Sequence, residues 1–139
     1  MNTEHSPQYA ALVLRLTLGT MFLAHGLLKV FVFTLPGTVG FFESVGFPGW
    51  FAYAVILAEI GGGALLILGL WVRVVALALV PVLVGAAQVH WGNGWLFSAE
   101  GGGWEYPVFL ALAAVVQSLL GAGAYSLKAP GLFRAPLEA

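Results

Sequence analysis

The chain has 139 residues, of which 60% are hydrophobic and only 8% are charged, with a formal net charge of −1. A soluble domain carries about a quarter charged residues, so this composition excludes an ordinary water-soluble fold and predicts a chain surrounded mostly by lipid. The lack of a basic block argues against nucleic acid as a partner, and the absence of cysteine excludes disulfides, thiolate metal sites and CxxC redox chemistry.

Four apolar runs predict an all-α membrane protein, a bundle of four transmembrane helices. Each run has about the twenty residues that a bilayer-spanning helix needs, and helices satisfy their own backbone hydrogen bonds in lipid. The first run is too long for a signal-peptide core, so we expect it to be retained as a helix. We predict a single transmembrane domain over residues 1–139. Its helices have the approximate bounds 9–33, 51–70, 72–91 and 106–125.

The connections between the runs differ in character. Residues 35–50 are rich in glycine, proline and aromatic side chains, which predicts an interfacial loop with a short helix near 39–45. Residues 69–73 predict a tight turn. Residues 92–105 are rich in glycine and tryptophan, and tryptophan favours the headgroup level. We therefore expect both long connections at one membrane interface.

The basic residues predict the orientation. With four spans, both termini share one side with the tight turn, whereas Lys29 and the acids Glu43, Glu100 and Glu105 belong to the other side. Arg15 is expected to snorkel to the interface near the start of the first helix. The positive-inside rule then places both termini in the cytoplasm. The basic residues on that side are Arg15, Arg73, Lys128 and Arg134.

Each predicted helix also carries a polar side chain at mid-depth or in its outer half. His25 and Lys29 are four residues apart and share a helix face. Glu59 shares its face with Gly62 and Gly63, and small residues of this kind mark close contact between helices in membranes. The candidate catalytic residues are His25, Lys29 and Glu59. The candidate ligand-binding residues are Gln88, His90 and Gln117.

Lys29 and Glu59 are expected to form an ion pair with His25 as a neighbour, because a lone charge in hydrocarbon costs at least about 2.5–3.5 kcal/mol. Two interpretations remain open. Either the pair only fixes the register of two helices, as buried polar groups sometimes do, or it marks a cavity that handles protons or a polar ligand.

Metal and phosphate sites are disfavoured, and no metal site is predicted. The depths of His25 and His90 differ by about 10 Å at the rise of an α-helix, which disfavours a haem held by both. Glu100 and Glu105 near His90 are better interpreted as solvated loop acids than as metal ligands. The glycine triplets at 61–63 and 101–103 do not lie between a strand and a helix, so packing and loop flexibility explain them better than phosphate binding.

Three segments resemble the DoxX family of small membrane proteins: RLTLGTMFLAHGLLKV (15–30), AEIGGGALLILGLWVR (58–73) and GAGAYSL (121–127). They contain the arginine, histidine, lysine and glutamate of the family's pattern at the right spacing. One departure concerns Lys128, because relatives often carry an acid at that position. The role of Lys128 is therefore left open.

The resemblance implies a multi-pass protein of the bacterial inner membrane, with its site at His25, Lys29 and Glu59. Relatives are linked to quinone-coupled oxidation, including thiosulfate oxidation, and to membrane complexes that handle sulfur and oxidative stress. We expect a component of a quinone-linked oxidoreductase system, with a quinone or a lipid-like ligand bound non-covalently. The alternative is a non-catalytic anchor or assembly subunit that recruits a partner enzyme. Whether the chain is itself an enzyme stays open, and membrane lipid and partner subunits are expected in both cases.

Overall fold

Five α-helices form the protein in a computed structural model that describes residues 5–127. No strand occurs among these residues, which confirms the all-α prediction. A short 3₁₀ turn, Trp91–Asn93, follows the fourth helix. The helices are α1 (Ser6–Phe31), α2 (Leu35–Ser44), α3 (Trp50–Leu68), α4 (Val72–His90) and α5 (Glu105–Leu120).

Two helices differ most from their predicted bounds, and in both the reason is local. The interfacial helix α2 begins earlier than expected, because the Thr34 side chain accepts a hydrogen bond from the Gly37 N–H and caps its first turn. Helix α5 ends at Leu120, five residues earlier than predicted, because Gly121 leaves the helix with φ +81°. In both cases a single capping residue sets the boundary.

Between residues 5 and 127, three helical segments are long and apolar enough to cross a membrane: Ser6–Phe31, Trp50–Leu68 and Val72–Asn93. Large apolar side chains such as Leu57 (74% exposed) and Phe109 (68% exposed) point outward, where lipid would surround them. Helix α5 is apolar but has only 16 residues, or about 24 Å at the rise of an α-helix. The chain is therefore a helical membrane protein, while four complete spans and cytoplasmic termini stay predictions.

Helix α1 lies directly on helix α3 because glycines remove the side chains between them. A methyl group on Gly63 would lie 2.6 Å from the backbone nitrogen of Leu23, and one on Gly26 would lie 2.6 Å from Ile60 Cγ1. Close backbone approach of this kind is how helices associate in membranes. Since Glu59 precedes Gly63 by one helical turn, this contact turns Glu59 toward α1.

The hydrophobic core lies toward the end of the bundle that contains the α3–α4 turn. Gly69 (φ +78°) and Trp71 (φ 46°) make this turn as tight as the sequence predicts. On α3, Gly62 packs against Leu79 of α4, with 2.9 Å between a built methyl group and the leucine side chain. The largest core side chains are Leu18, Phe22, Leu66, Leu79, Leu83 and Leu110.

The expectation that Arg15 snorkels to the interface is wrong, because its side chain is only 1% exposed. The guanidinium donates to the carbonyls of Leu66 (3.2 Å) and Ile67 (2.9 Å) at the end of α3. It also donates to Ala124 O (3.1 Å) and Tyr125 O (3.4 Å). Carbonyls at a helix C-terminus have no intrahelical partner and carry partial negative charge, so they hold a cation there.

Arg73 plays the same part for α5, where it donates to Ser118 O and Leu119 O, each at 2.9 Å. Both arginines therefore lie at the end of the bundle where α3 and α5 finish. Lys128 and Arg134, which the orientation prediction also uses, lie outside the described residues.

Candidate functional site

A cavity of about 480 Å³ occupies the other end of the bundle, between the C-terminal halves of α1 and α4 and the N-terminal half of α3. Its walls are mostly apolar and include phenylalanines from α2 and the α2–α3 connection. Small residues of α3 and α4, among them Ala58 and Gly85, also line it. The polar side chains that reach it are His25, Lys29, Glu59, His90 and Tyr106.

The expected ion pair is present in this cavity. Lys29 Nζ lies 2.9 Å from Glu59 Oε1 and 2.7 Å from Oε2, so the ammonium uses both carboxylate oxygens. The Lys29 side chain is 19% exposed and the Glu59 side chain 8%, which places the pair on the cavity wall rather than in open solvent. One of the three ammonium N–H groups has no partner among residues 5–127.

The position of Lys29 is set by the end of α1. It lies in the last turn of the helix, where the macrodipole favours a cation. Its backbone carbonyl accepts a hydrogen bond from Thr38 Oγ1 at 2.9 Å, and Thr38 is buried. This contact fastens α2 to the end of α1 and therefore holds the aromatic wall beside the ion pair.

His25 lines the same cavity one helical turn before Lys29. Its Nδ1 lies 2.7 Å from Met21 O, and since a carbonyl can only accept, Nδ1 carries the proton. Nε2 has no hydrogen-bond partner among the residues that the structure describes. In the neutral ring Nε2 is therefore a free acceptor beside the cavity.

Tyr106, at the start of α5, approaches His25 from the opposite wall. The two ring centroids are 6.5 Å apart with an interplanar angle of 35°. The tyrosine hydroxyl lies 3.6 Å from Met21 Sδ, a weak acceptor, so it remains available to a better one. Neither Tyr106 nor Thr38 was singled out from the sequence. The available signal for Tyr106 was its place at the start of the last apolar run, at the same end as His25.

The structure separates the three residues predicted to bind ligand. His90 lines the cavity, although its Nδ1 already donates to Gly101 O at 3.0 Å. Gln88 is two residues away on α4, is exposed and does not line the cavity. Gln117 is fully buried near the opposite end of the bundle, where its Nε2 donates to Gly121 O at 2.7 Å.

The loop after α4 is ordered by its own contacts. Glu105 Oε1 accepts from the Phe97 N–H at 2.9 Å, and Trp91 stacks on Trp104 with 4.6 Å between ring centroids. Within residues 5–127 no group of three or more His, Cys, Asp or Glu side chains is placed to hold a metal. His90 and Glu105 therefore serve the loop's own hydrogen bonds.

Chemically, the cavity suits a molecule with an apolar body and a compact polar end. Ligand sites of roughly this volume are lined mainly by apolar and aromatic side chains, with a few polar groups that fix orientation. Here the polar groups supply an ammonium N–H, a carboxylate, a hydroxyl and an imidazole acceptor at one end of the space.

Comparisons with known proteins point to one family. The family model DoxX matches residues 10–91, a range that contains His25, Lys29 and Glu59. A Bacillus subtilis (strain 168) protein described as "Putative oxidoreductase CatD" is 37% identical over 79 residues, covering 57% of this chain and 58% of the relative. The chain thus spans somewhat more than half of that relative's length. No solved structure matches the chain.

Proposed function

This chain belongs to the DoxX family of membrane proteins, and we propose that it is a component of a quinone-linked oxidoreductase system whose cavity binds the headgroup of a quinone or a similar lipid-soluble redox molecule. The observation that carries the proposal is an apolar cavity whose wall contains a Lys29–Glu59 ion pair and a His25 Nε2 atom with no hydrogen-bond partner in the described part of the chain. Ionisable residues inside membranes tend to face cavities and mark functional sites. The relative described as "Putative oxidoreductase CatD" supports the same class of function.

The cavity walls fit a flat ring with an apolar tail. Phe41, Phe42 and Phe47 can pack against the ring, and the free N–H of Lys29 can donate to a ring oxygen. Helices α3 and α4 touch at Gly62 and Leu79, and farther from their turn both helices line the cavity, which leaves a gap between them. We place the tail in this gap, through which it would reach the bilayer.

A quinone supplies two-electron, two-proton chemistry when bound, and the chain's own residues serve its protons. His25 can accept a proton at Nε2 while Nδ1 keeps its bond to Met21 O. Glu59, whose two carboxyl oxygens contact Lys29 Nζ, is a second group in the cavity wall that can exchange a proton. The electrons would pass to a partner subunit of the system.

We also propose four spans in a bacterial inner membrane, with cytoplasmic termini and a cavity that opens toward the outer face. Arg15 and Arg73 lie at one end of the bundle, and the acids Glu43 and Glu105 lie at the cavity end, which suits this orientation. A reporter inserted at residues 101–103 should be external. If that reporter were instead active in the cytoplasm, the orientation proposed here would be the wrong way round.

Filling the cavity should remove the bound quinone. Gly85 lines the cavity and a methyl group built on it meets nothing within 4 Å, so Gly85→Phe can occupy the space without displacing backbone. In native nanodiscs we expect quinone to copurify with the parent protein and to fall by at least about tenfold in Gly85→Phe, a loss of about 1.4 kcal/mol of binding.

The matched control is Gly61→Phe, since Gly61 is also in open space but does not line the cavity. This variant should retain the parent's quinone content. Equal quinone in parent and Gly85→Phe, or none in the parent, would contradict the proposed site and leave the anchor or assembly function in its place.

A further inference from the structure

We infer that the cavity recognises the reduced, hydroxyl-bearing form of its ligand, a phenol or hydroquinone headgroup, in preference to the oxidised quinone. The inference rests on the proposed function, because both assign the ligand headgroup to the polar end of the cavity. It is carried by the hydrogen-bonding state of His25 and by the donors around it.

The first step concerns His25. Because Nδ1 donates to Met21 O at 2.7 Å, the neutral ring carries its one proton on Nδ1. Nε2 is then an acceptor and cannot donate. A ligand that satisfies it must bring an O–H or N–H of its own.

The second step concerns the donors beside it. Lys29 is one helical turn beyond His25 on the same face, and after its two bonds to Glu59 one of its N–H groups has no partner among the described residues. The Tyr106 hydroxyl lies near the same region, and within residues 5–127 its one hydrogen-bond partner is the Met21 sulfur. The polar end therefore offers donors from Lys29 and Tyr106 together with one acceptor from His25.

A phenolic hydroxyl uses both kinds of group, since it donates to His25 Nε2 and accepts from Lys29 or Tyr106. A quinone carbonyl only accepts, so its binding would leave Nε2 without a partner. When a bound ligand excludes water from an acceptor without donating to it, the acceptor loses the free energy of its hydrogen bond to water. The difference between the two ligand forms is therefore one hydrogen bond at His25.

A pair of redox-inert probes isolates that bond. The compounds 4-nonylphenol and 4-nonylanisole have the same tail and ring, but the methyl ether cannot donate. In nanodiscs we expect the parent protein to bind the phenol about tenfold more tightly, as one added hydrogen bond would give. In His25→Phe the two probes should bind equally, because the acceptor that distinguishes them is gone.

A second measurement leaves His25 in place. The chain has three histidines, so the double variant His5→Gln/His90→Gln keeps His25 alone. Its ¹⁵N spectrum should show the chemical shift of an unprotonated Nε2. Adding the phenol should move this chemical shift toward that of a protonated nitrogen, and adding the anisole should not. This inference would be overturned, while the proposed function stands, by either of two results. The parent could bind both probes equally, or the Nε2 chemical shift of the double variant could stay unchanged when the phenol is added. Failure of both probes to bind would overturn the two together.

Discussion

Replacing Glu59 by leucine while Lys29 is kept should destabilise the protein by roughly 2–3 kcal/mol and abolish function. The ammonium would lose both of its acceptors at 2.9 and 2.7 Å. Breaking a fully buried pair costs roughly 3–5 kcal/mol, and the 19% exposure of Lys29 lets its charge recover some solvation. Lys29→Met should cost more, since Glu59 is the more deeply buried partner.

The double variant Glu59→Leu/Lys29→Met separates a structural from a functional role. Exchange of a buried ion pair for apolar residues is often neutral, so the double variant should unfold at nearly the parent's temperature. It should nevertheless fail to complement a deletion strain, and His25→Phe should fail likewise while remaining folded. Complementation by the double variant at the parent's level would show that the pair is structural and would favour the anchor function.

Replacing Arg15 by methionine should cost the fold more than any change in the cavity, roughly 3–5 kcal/mol. Four carbonyls, from the end of α3 and from residues 124 and 125, would lose their donor at once. Burying a cation is expensive in itself, but methionine leaves those carbonyls unsatisfied in an apolar surrounding. Arg15→Lys should recover only part of the loss, because a single ammonium cannot span acceptors on two segments.

Arg73→Met is the matched comparison. Arg73 caps α5 through the Ser118 and Leu119 carbonyls; because it is more exposed than Arg15, its loss should be smaller, about 1–2 kcal/mol. The measurement is unfolding in bicelles for all three variants. Stability of Arg15→Met equal to that of the parent would contradict the capping role.

The sequence predicted the ion pair because the physics of lipid leaves few alternatives. Two opposite charges at similar depth in lipid are each costly unless they form an ion pair. The glycine four residues after Glu59 indicated which face of the helix would contact a neighbouring helix. The positions of the helices could also be predicted from the apolar runs, because a segment in lipid must be apolar. Their ends could not, because Thr34 and Gly121 act through local backbone geometry that apolar runs do not encode.

The role of Arg15 could not be predicted from the sequence. Its acceptors are carbonyls 51 to 110 residues away along the chain. Every residue has a backbone carbonyl, so the sequence does not indicate which ones accept from Arg15. Gln117 was predicted to bind ligand from its depth alone, whereas the direction of its side chain depends on how α5 is rotated, and its Nε2 donates to Gly121 O. The tautomer of His25 likewise depends on a side-chain rotamer that only the structure supplies.

Photolabelling in native membranes tests the quinone site most directly. A quinone analogue with a diazirine on its ring should label residues 21–29 of α1 and 81–90 of α4, where the cavity lies. An excess of unlabelled quinone should suppress this labelling, and Gly85→Phe should remove it. The contrary result is labelling of outward-facing side chains such as Leu57 and Leu119 that unlabelled quinone does not suppress. It would show that the cavity does not hold the headgroup.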